Sequence, residues 1–198
     1  LVDGRIVRDN VYGGIEEDAV RRDFRINALY YNIADFSVRD YVGGVDDLKK
    51  RELHLIGDPE QRYREDPVRM LRAIRFAARM DFQIDGPTLS AIKALAENVH
   101  TVSAERIRDE LSLMLTGPNP KLAFELLKKT RLLKHVLPEV DSLAGVPQPP
   151  QFHPEGDVFK HTRIMLQLLP KEVSLPLVLS VLFHDIGKPS TSSVDENG

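Results

Sequence analysis

From residue 59 onward, apolar positions recur at helical spacing. "DPVRMLRAIRFAARM" places Met70, Leu71, Ile74, Ala77 and Ala78 on one side. Asp66 stands as N-cap and Pro67 at the first helical position, a strong helix start. "GPTLSAIKALAENV" and "SAERIRDELSLML" follow, the second with Ile107, Leu111 and Met114 on one stripe. "NPKLAFELLKKTRLLKHVLPEV" predicts one or two further helices ending near Pro138. Two apolar helices, roughly 157–169 and 175–186, close the pattern. Before residue 58 the texture changes. "INALYYNI", "SVRDYV" and "ELHLIG" are rich in aromatic and branched residues and punctuated by Gly, which predicts strands. Between them "EEDAVRRD" and "GVDDLKK" predict short helices. The fold class expected is α+β, mainly α.

The helix from 66 to 80 carries the first chemical signal. On a wheel of about 100° per residue, with Arg69 at zero, Arg72, Arg75 and Arg79 fall near 300°, 240° and 280°. The apolar set falls between about 80° and 200°. One face is buried and the other presents a row of guanidinium groups. Arg is suited to bidentate phosphate contact and keeps its charge. Asp66 precedes Arg69 by one turn, so the two side chains can lie side by side. Such a pair offers an acceptor and donors together, as the edge of a base does. The plainer alternative is a solvated Arg face with an i,i+3 ion pair. A second cluster, "RRDFRINALYY", puts Arg21, Arg22 and Asp23 at a helix end running into a strand through Asn27, an unusual place for paired cations unless an anion sits there.

Charge sharpens this picture. The chain of 198 residues has a net charge of −3. Residues 61–79 hold six Arg against Glu65 and Asp66, so the rest is distinctly acidic. A focused basic patch on an acidic body suits a bound polyanion better than a general surplus does. With no Cys, disulfides and thiolate metal sites are excluded. No apolar run is long enough for a membrane span, and a cytoplasmic protein is expected. The Pro-rich "GVPQPPQFHP" marks a boundary.

In order and spacing, "RRDFRINAL", "DYVGGVDDL", "EDPVRMLRAIRFAARMDF" and "ERIRDEL" resemble the bacterial tRNA nucleotidyltransferase and poly(A) polymerase family, within the DNA polymerase beta superfamily. The resemblance covers nearly the whole chain. It implies part of a nucleotidyltransferase head over 1–57, a helical neck and body over 58–145, and template-independent addition of nucleotides to an RNA 3′ end. Arg22 then matches the motif arginine that contacts the incoming nucleotide. Asp66 and Arg69 match the pair that reads the base edge of ATP or CTP, and Arg72 and Arg75 match further nucleotide-contacting arginines. Asp23 and Asn27 complete the candidate set. Glu105 and Arg106 match a motif that braces the helix turn. Arg25 departs from the family, which usually has Thr there.

The family's Gly-rich "GGxVRD" loop and DxD pair, which hold magnesium for phosphoryl transfer, are expected before Leu1. Asp3 and Asp9 lack the spacing of a metal pair, so no catalytic carboxylate is assigned in this chain. The last segment, 146–198, resembles the HD phosphohydrolase superfamily through His161 and through His184–Asp185 followed by "IGK". This implies a second divalent metal on His161, His184 and Asp185, with that family's fourth ligand absent. His153 is expected in a loop and His135 on the body surface or in its core. The front resembles the poly(A) polymerase branch. The HD-like tail resembles enzymes that repair the CCA end of tRNA with CTP and ATP, and this branch is the reading preferred. Poly(A) polymerase, an HD phosphohydrolase and a non-catalytic RNA-binding module are the alternatives. Oligomeric state is not legible.

Overall fold

The structure, a computed structural model, describes residues 14–191. Asp3 and Asp9 lie outside them. Helix α1 (Ile15–Arg21) leads into a 3₁₀ turn, Arg25–Asn27, and then β1 (Leu29–Tyr31). Asn27 is therefore in a turn and not in the expected strand. The reason is local: Asp23 Oδ1 accepts from Phe24 N (2.8 Å) and Asn27 Nδ2 (3.0 Å), while Asn27 N donates to Phe24 O at 2.9 Å. These bonds curl the chain before it can extend. β1 pairs antiparallel with β2 (Val38–Asp40), Tyr30 opposite Arg39.

Asp40 then organises the next turn. Its carboxylate accepts from Val42, Gly43, Gly44 and Val45 N–H at 2.9–3.1 Å, which starts α2 (Gly44–Lys50). Gly43 has φ of 89°, and a Cβ on Gly44 would meet Arg25 O at 2.3 Å. Both positions thus need glycine, one for its backbone and one for space. Strand β3 (Glu52–Leu53) pairs in parallel with β4 (Gln83–Ile84), Glu52 opposite Gln83 and Leu53 opposite Ile84.

Helix α3 (Pro59–Glu65) is capped by Asp58, which accepts from Gln61 N at 2.8 Å. Helix α4 (Val68–Met80) starts one residue later than expected, with Pro67 as N-cap and the extended Asp66 closing α3. The Asp66 side chain makes no cap hydrogen bond, because Arg106 Nη2 donates to it at 2.8 Å instead. Met70, Leu71, Ala73, Ile74 and Ala77 are fully buried. Helices α5 (Gly86–Leu95), α6 (Ala104–Leu115) and α7 (Pro120–Lys129) build the body, with α4 packed against α6 and α7. Helix α8 (Leu133–Val136) is followed by α9 (Pro138–Asp141), so helix resumes at Pro138 where an end was expected. The proline occupies the first helical position, where its missing N–H costs nothing. After the Pro-rich stretch come α10 (Val158–Gln167), α11 (Leu175–Phe183) and α12 (Lys188–Thr191). Helix α11 stops before the expected residue 186, because Ile186 N turns back to Phe183 O.

The architecture is mainly helical with two small two-stranded sheets, as expected. One apolar cluster runs from Phe24 through Leu71 and Phe124 to Leu182, crossing residues 57/58 and 145/146. Phe124 of α7 stacks on Phe159 of α10, centroids 4.4 Å apart, and joins the last segment to the body. Each such buried side chain contributes about 1.5–3 kcal/mol. No helix among the described residues is long and apolar enough to cross a membrane.

Candidate nucleotide site and His-rich cluster

The wet face of α4 meets the end of α1 across a cavity of about 560 Å³. It is lined by Arg22, Asp23, Asn27, Asp66, Arg69, Arg72, Phe76 and Arg106. Four of these are arginines and two are aspartates, so the wall carries an excess of two positive charges. Three segments far apart in the chain build it: the 22–27 turn, α4 and the first turn of α6.

Each arginine is held by a hydrogen-bonded partner. Arg22 donates to Asn27 O (3.0 Å) and Asp18 Oδ2 (3.1 Å), and lies over the Tyr30 ring. The Tyr30 hydroxyl, then Arg22, hold the Asp18 carboxyl below its ordinary value. Arg69 donates to Arg62 O at 2.9 Å and Glu65 Oε2 at 3.2 Å. Arg72 meets Asp23 Oδ2 through Nε (2.8 Å) and Nη2 (2.6 Å). Burial pushes the Asp23 carboxyl up. The Asn27 amide, Arg72 and the Phe24 N–H outweigh it and leave the pKa below the usual carboxylate range.

Two expectations change here. Asp66 and Arg69 do not pair with each other. Asp66 takes Arg106, forty residues on, and Arg69 turns to Arg62 and Glu65. Both still line the cavity, as an acceptor and a donor with separate supports. Arg75 is not among the lining residues. It lies against Glu110, Nε to Oε2 2.8 Å, and under the Phe76 ring at 4.5 Å. The contact is a close ion pair off the hydrogen-bond axis. Glu110 also reaches Arg72 Nη1 at 3.6 Å, and burial pushes its carboxyl up against the pull of both arginines. Arg75 therefore supports Arg72 through Glu110. Phe76 and Arg106 are additional lining residues. Phe76 was findable: at about 340° on the wheel it interrupts the arginine face. Glu105 is not a lining residue. The turn between α3 and α4 is braced by Arg106.

The last segment holds a second constellation. His161, His184 and Asp185 offer ligand atoms within 4.8 Å of one another. His184 Nδ1 lies 2.7 Å from Val181 O, which fixes Nδ1 as the protonated nitrogen. Its Nε2 then faces Asp185 Oδ2 at 3.0 Å, two acceptors that need a proton or a cation between them. Lys188 Nζ also meets that oxygen, at 2.8 Å. His153 and Glu155, unassigned from sequence, join His161 in a second group of the same size. Glu155 Oε1 meets His161 Nδ1 at 2.6 Å and His153 Nδ1 at 3.1 Å. Its own backbone N–H, then His161 and His153, hold the Glu155 carboxyl down to about 2. His135 lies 2.9 Å from His100 beside an apolar cavity, and burial lowers its pKa.

Residues 3–54 match the family described as "Poly A polymerase head domain". Residues 81–143 match "Probable RNA and SrmB-binding site of polymerase A". Poly(A) polymerase I of Salmonella typhi is 47% identical over 137 residues, 69% of this chain and 30% of the relative. The multifunctional CCA protein of Neisseria gonorrhoeae is 40% identical over 180 residues, 89% of this chain and 43% of the relative. Among solved structures, the Bacillus stearothermophilus CCA-adding enzyme in complex with CTP superposes with a TM-score of 0.71 at 28% identity, over 89% of this chain and 40% of that one. The Thermotoga maritima CCA-adding enzyme complexed with tRNA gives 0.58 at 26% identity, over 92% and 46%. The chain thus spans less than half the length of these relatives. With two family regions in their chain order and relatives from both branches, the chain belongs to the bacterial poly(A) polymerase and tRNA nucleotidyltransferase family.

Proposed function

We propose that the arginine cavity binds the nucleoside triphosphate for template-independent nucleotide addition to an RNA 3′ end. The product is the CCA end of tRNA, made from CTP and ATP. The observation that carries this is the cationic wall itself, four arginines around one cavity, each held by a hydrogen-bonded partner. Preorganised donors stabilise a triphosphate without reordering on binding. Arg22 and Arg72 take the phosphates. Asp66 and Arg69 meet the base edge, and Phe76 supplies an apolar wall. Arg75 and Glu110 position Arg72. The same reading sets the protein in the cytoplasm, where tRNA and its nucleotides are.

Enzymes of this family use a divalent metal for transfer, and magnesium is the ion inferred. The cavity's own carboxylates do not fit one. Asp23 is occupied by Arg72 and Asn27, and Asp66 by Arg106. A hard cation there would lie among guanidinium groups. No step is therefore assigned to a metal on these residues.

Poly(A) synthesis is the second reading, favoured by the 47% identity to poly(A) polymerase I. The longer match to the CCA protein, 180 against 137 residues, supports tRNA repair. For the last segment, the facing acceptors of His184 and Asp185 support a divalent metal and phosphate-ester hydrolysis. Equilibrium binding of labelled CTP and ATP tests the main reading. Arg72→Ala should weaken both by about 10-fold or more, the loss of a charge-assisted hydrogen bond. Unchanged affinity in both Arg22→Ala and Arg72→Ala, with RNA still bound, would leave a non-catalytic RNA-binding module.

A further inference from the structure

We propose that His153, Glu155 and His161 form a binding position for a borderline divalent cation of the nickel, zinc or cobalt kind. It lies beside the His161–His184–Asp185 group and shares His161 with it. The inference rests on reading that group as metal-binding, and adds two ligands that the group does not supply.

The first support is convergence. Both imidazoles aim Nδ1 at one oxygen, Glu155 Oε1, from 3.1 and 2.6 Å. The rings stand 4.9 Å apart and nearly perpendicular, so their nitrogens approach from different directions. All three donor atoms lie within 4.8 Å of one another. Small shifts would bring them to about 2.0–2.2 Å from a common centre. Two imidazoles and one carboxylate form a donor set that suits zinc and nickel better than magnesium, and leaves positions open to water or substrate.

The second support is rigidity. His161 belongs to the first turn of α10, while His153 and Glu155 lie on the preceding loop. That loop is tied down on both sides. Asp157 accepts from Gly145 N at 3.0 Å and from Lys160 N at 2.8 Å, and Val158 N donates to Val146 O at 3.1 Å. Gly156, at φ of 115°, makes the reversal between ligand and cap. The third support is access. The three side chains keep 19–27% of their surface exposed, enough for an ion to enter and still meet solvent.

The competing account is that Glu155 is only a hydrogen-bond hub for two neutral imidazoles. The two accounts differ in where the ring hydrogens sit. The hub needs one on each Nδ1, whereas a cation there moves it to Nε2, so each ring changes tautomer without losing its proton. A neutral imidazole has one free lone pair, so His161 serves one of the two positions at a time. Calorimetry with Ni²⁺ and visible absorption with Co²⁺ read the occupancy. The wild-type chain should take up one equivalent. The double variant His184→Ala/Asp185→Ala should keep one equivalent, its affinity should fall at least tenfold on adding His153→Ala, and its Co²⁺ absorption should vanish on adding Glu155→Gln. Glu155→Asp in that background should recover part of it. Far-UV circular dichroism confirms folding. A single equivalent, insensitive to His153 and Glu155 but lost in the double variant, overturns this inference and leaves the HD-type reading standing. No uptake by any variant overturns both.

Discussion

Asp23→Asn separates the two jobs of the residue behind Arg72. The side chain is 11% exposed and takes four donations: Phe24 N and Asn27 Nδ2 on Oδ1, and Arg72 Nε and Nη2 on Oδ2. Asparagine keeps the Oδ1 acceptor but turns an NH₂ toward the guanidinium. Charges about 4 Å apart at an effective dielectric near 20 attract by roughly 4 kcal/mol. Relief of the carboxylate's desolvation returns part of this, and Arg72 is one-third exposed, which screens more. The net cost is about 2 kcal/mol, within the range for hydrogen bonds to charged groups. For a chain of this length that is a fall in Tm of about 4–8 °C. The folded-state pKa of Asp23 lies below its unfolded value. Its ionisation therefore adds stability above the ordinary carboxylate pKa, and that stability is lost as pH falls through the folded value. Urea unfolding at pH 7 and near pH 3 should show a gap between wild type and variant that narrows in acid. Meanwhile the cavity's excess positive charge rises from two to three, so triphosphate should bind more tightly to the less stable protein. Equal stability at pH 7, or a gap that acid does not narrow, would refute the assigned role of this ion pair.

Three further outcomes are expected. Arg69→Ala should change the ratio of CTP to ATP affinity by about 1–3 kcal/mol if it meets the base, by analogy with base-edge readout; competition binding measures it, and an equal loss for both would make Arg69 a phosphate contact. Gly44→Ala should cost about 1–3 kcal/mol in denaturant unfolding, because its Cβ meets the Arg25 carbonyl. Phe124→Ala should cost about 3–5 kcal/mol and loosen α10 together with the body, visible as one shifted transition.

The parts of the fold legible in the sequence are those written within one or two turns of chain. Pro67 marks the start of α4, and the spacing of Met70, Leu71 and Ile74 marks its buried face. The parts not legible join distant residues. Leu53 pairs with Ile84 through a parallel register that no local pattern encodes. Arg106 reaches Asp66 across forty residues and thereby takes from Arg69 the partner that helical spacing offered it. Arg75 has the same spacing as its neighbours, yet α6 brings Glu110 to it and removes it from the cavity wall. Glu155 was invisible because a lone glutamate in a Pro-rich loop carries no period. Only the return of α10 beside that loop gives it two histidines.

The apolar cluster from Phe24 to Leu182 joins the layers beneath both candidate sites, while Ala19, Ala28 and Ile56 pack in a second cluster under the 22–27 turn. Phe24 follows the lining residue Asp23 in sequence, and Leu182 precedes His184 by two residues. Amides that exchange only when this shared core opens are expected to respond to a ligand at either end. If the arginine cavity binds a nucleoside triphosphate, saturating ligand should slow exchange in α11 as well as in α4, by up to RT ln(1 + [L]/Kd) for amides that exchange by global unfolding. Exchange in α11 that ligand leaves unchanged would show that the two ends open independently.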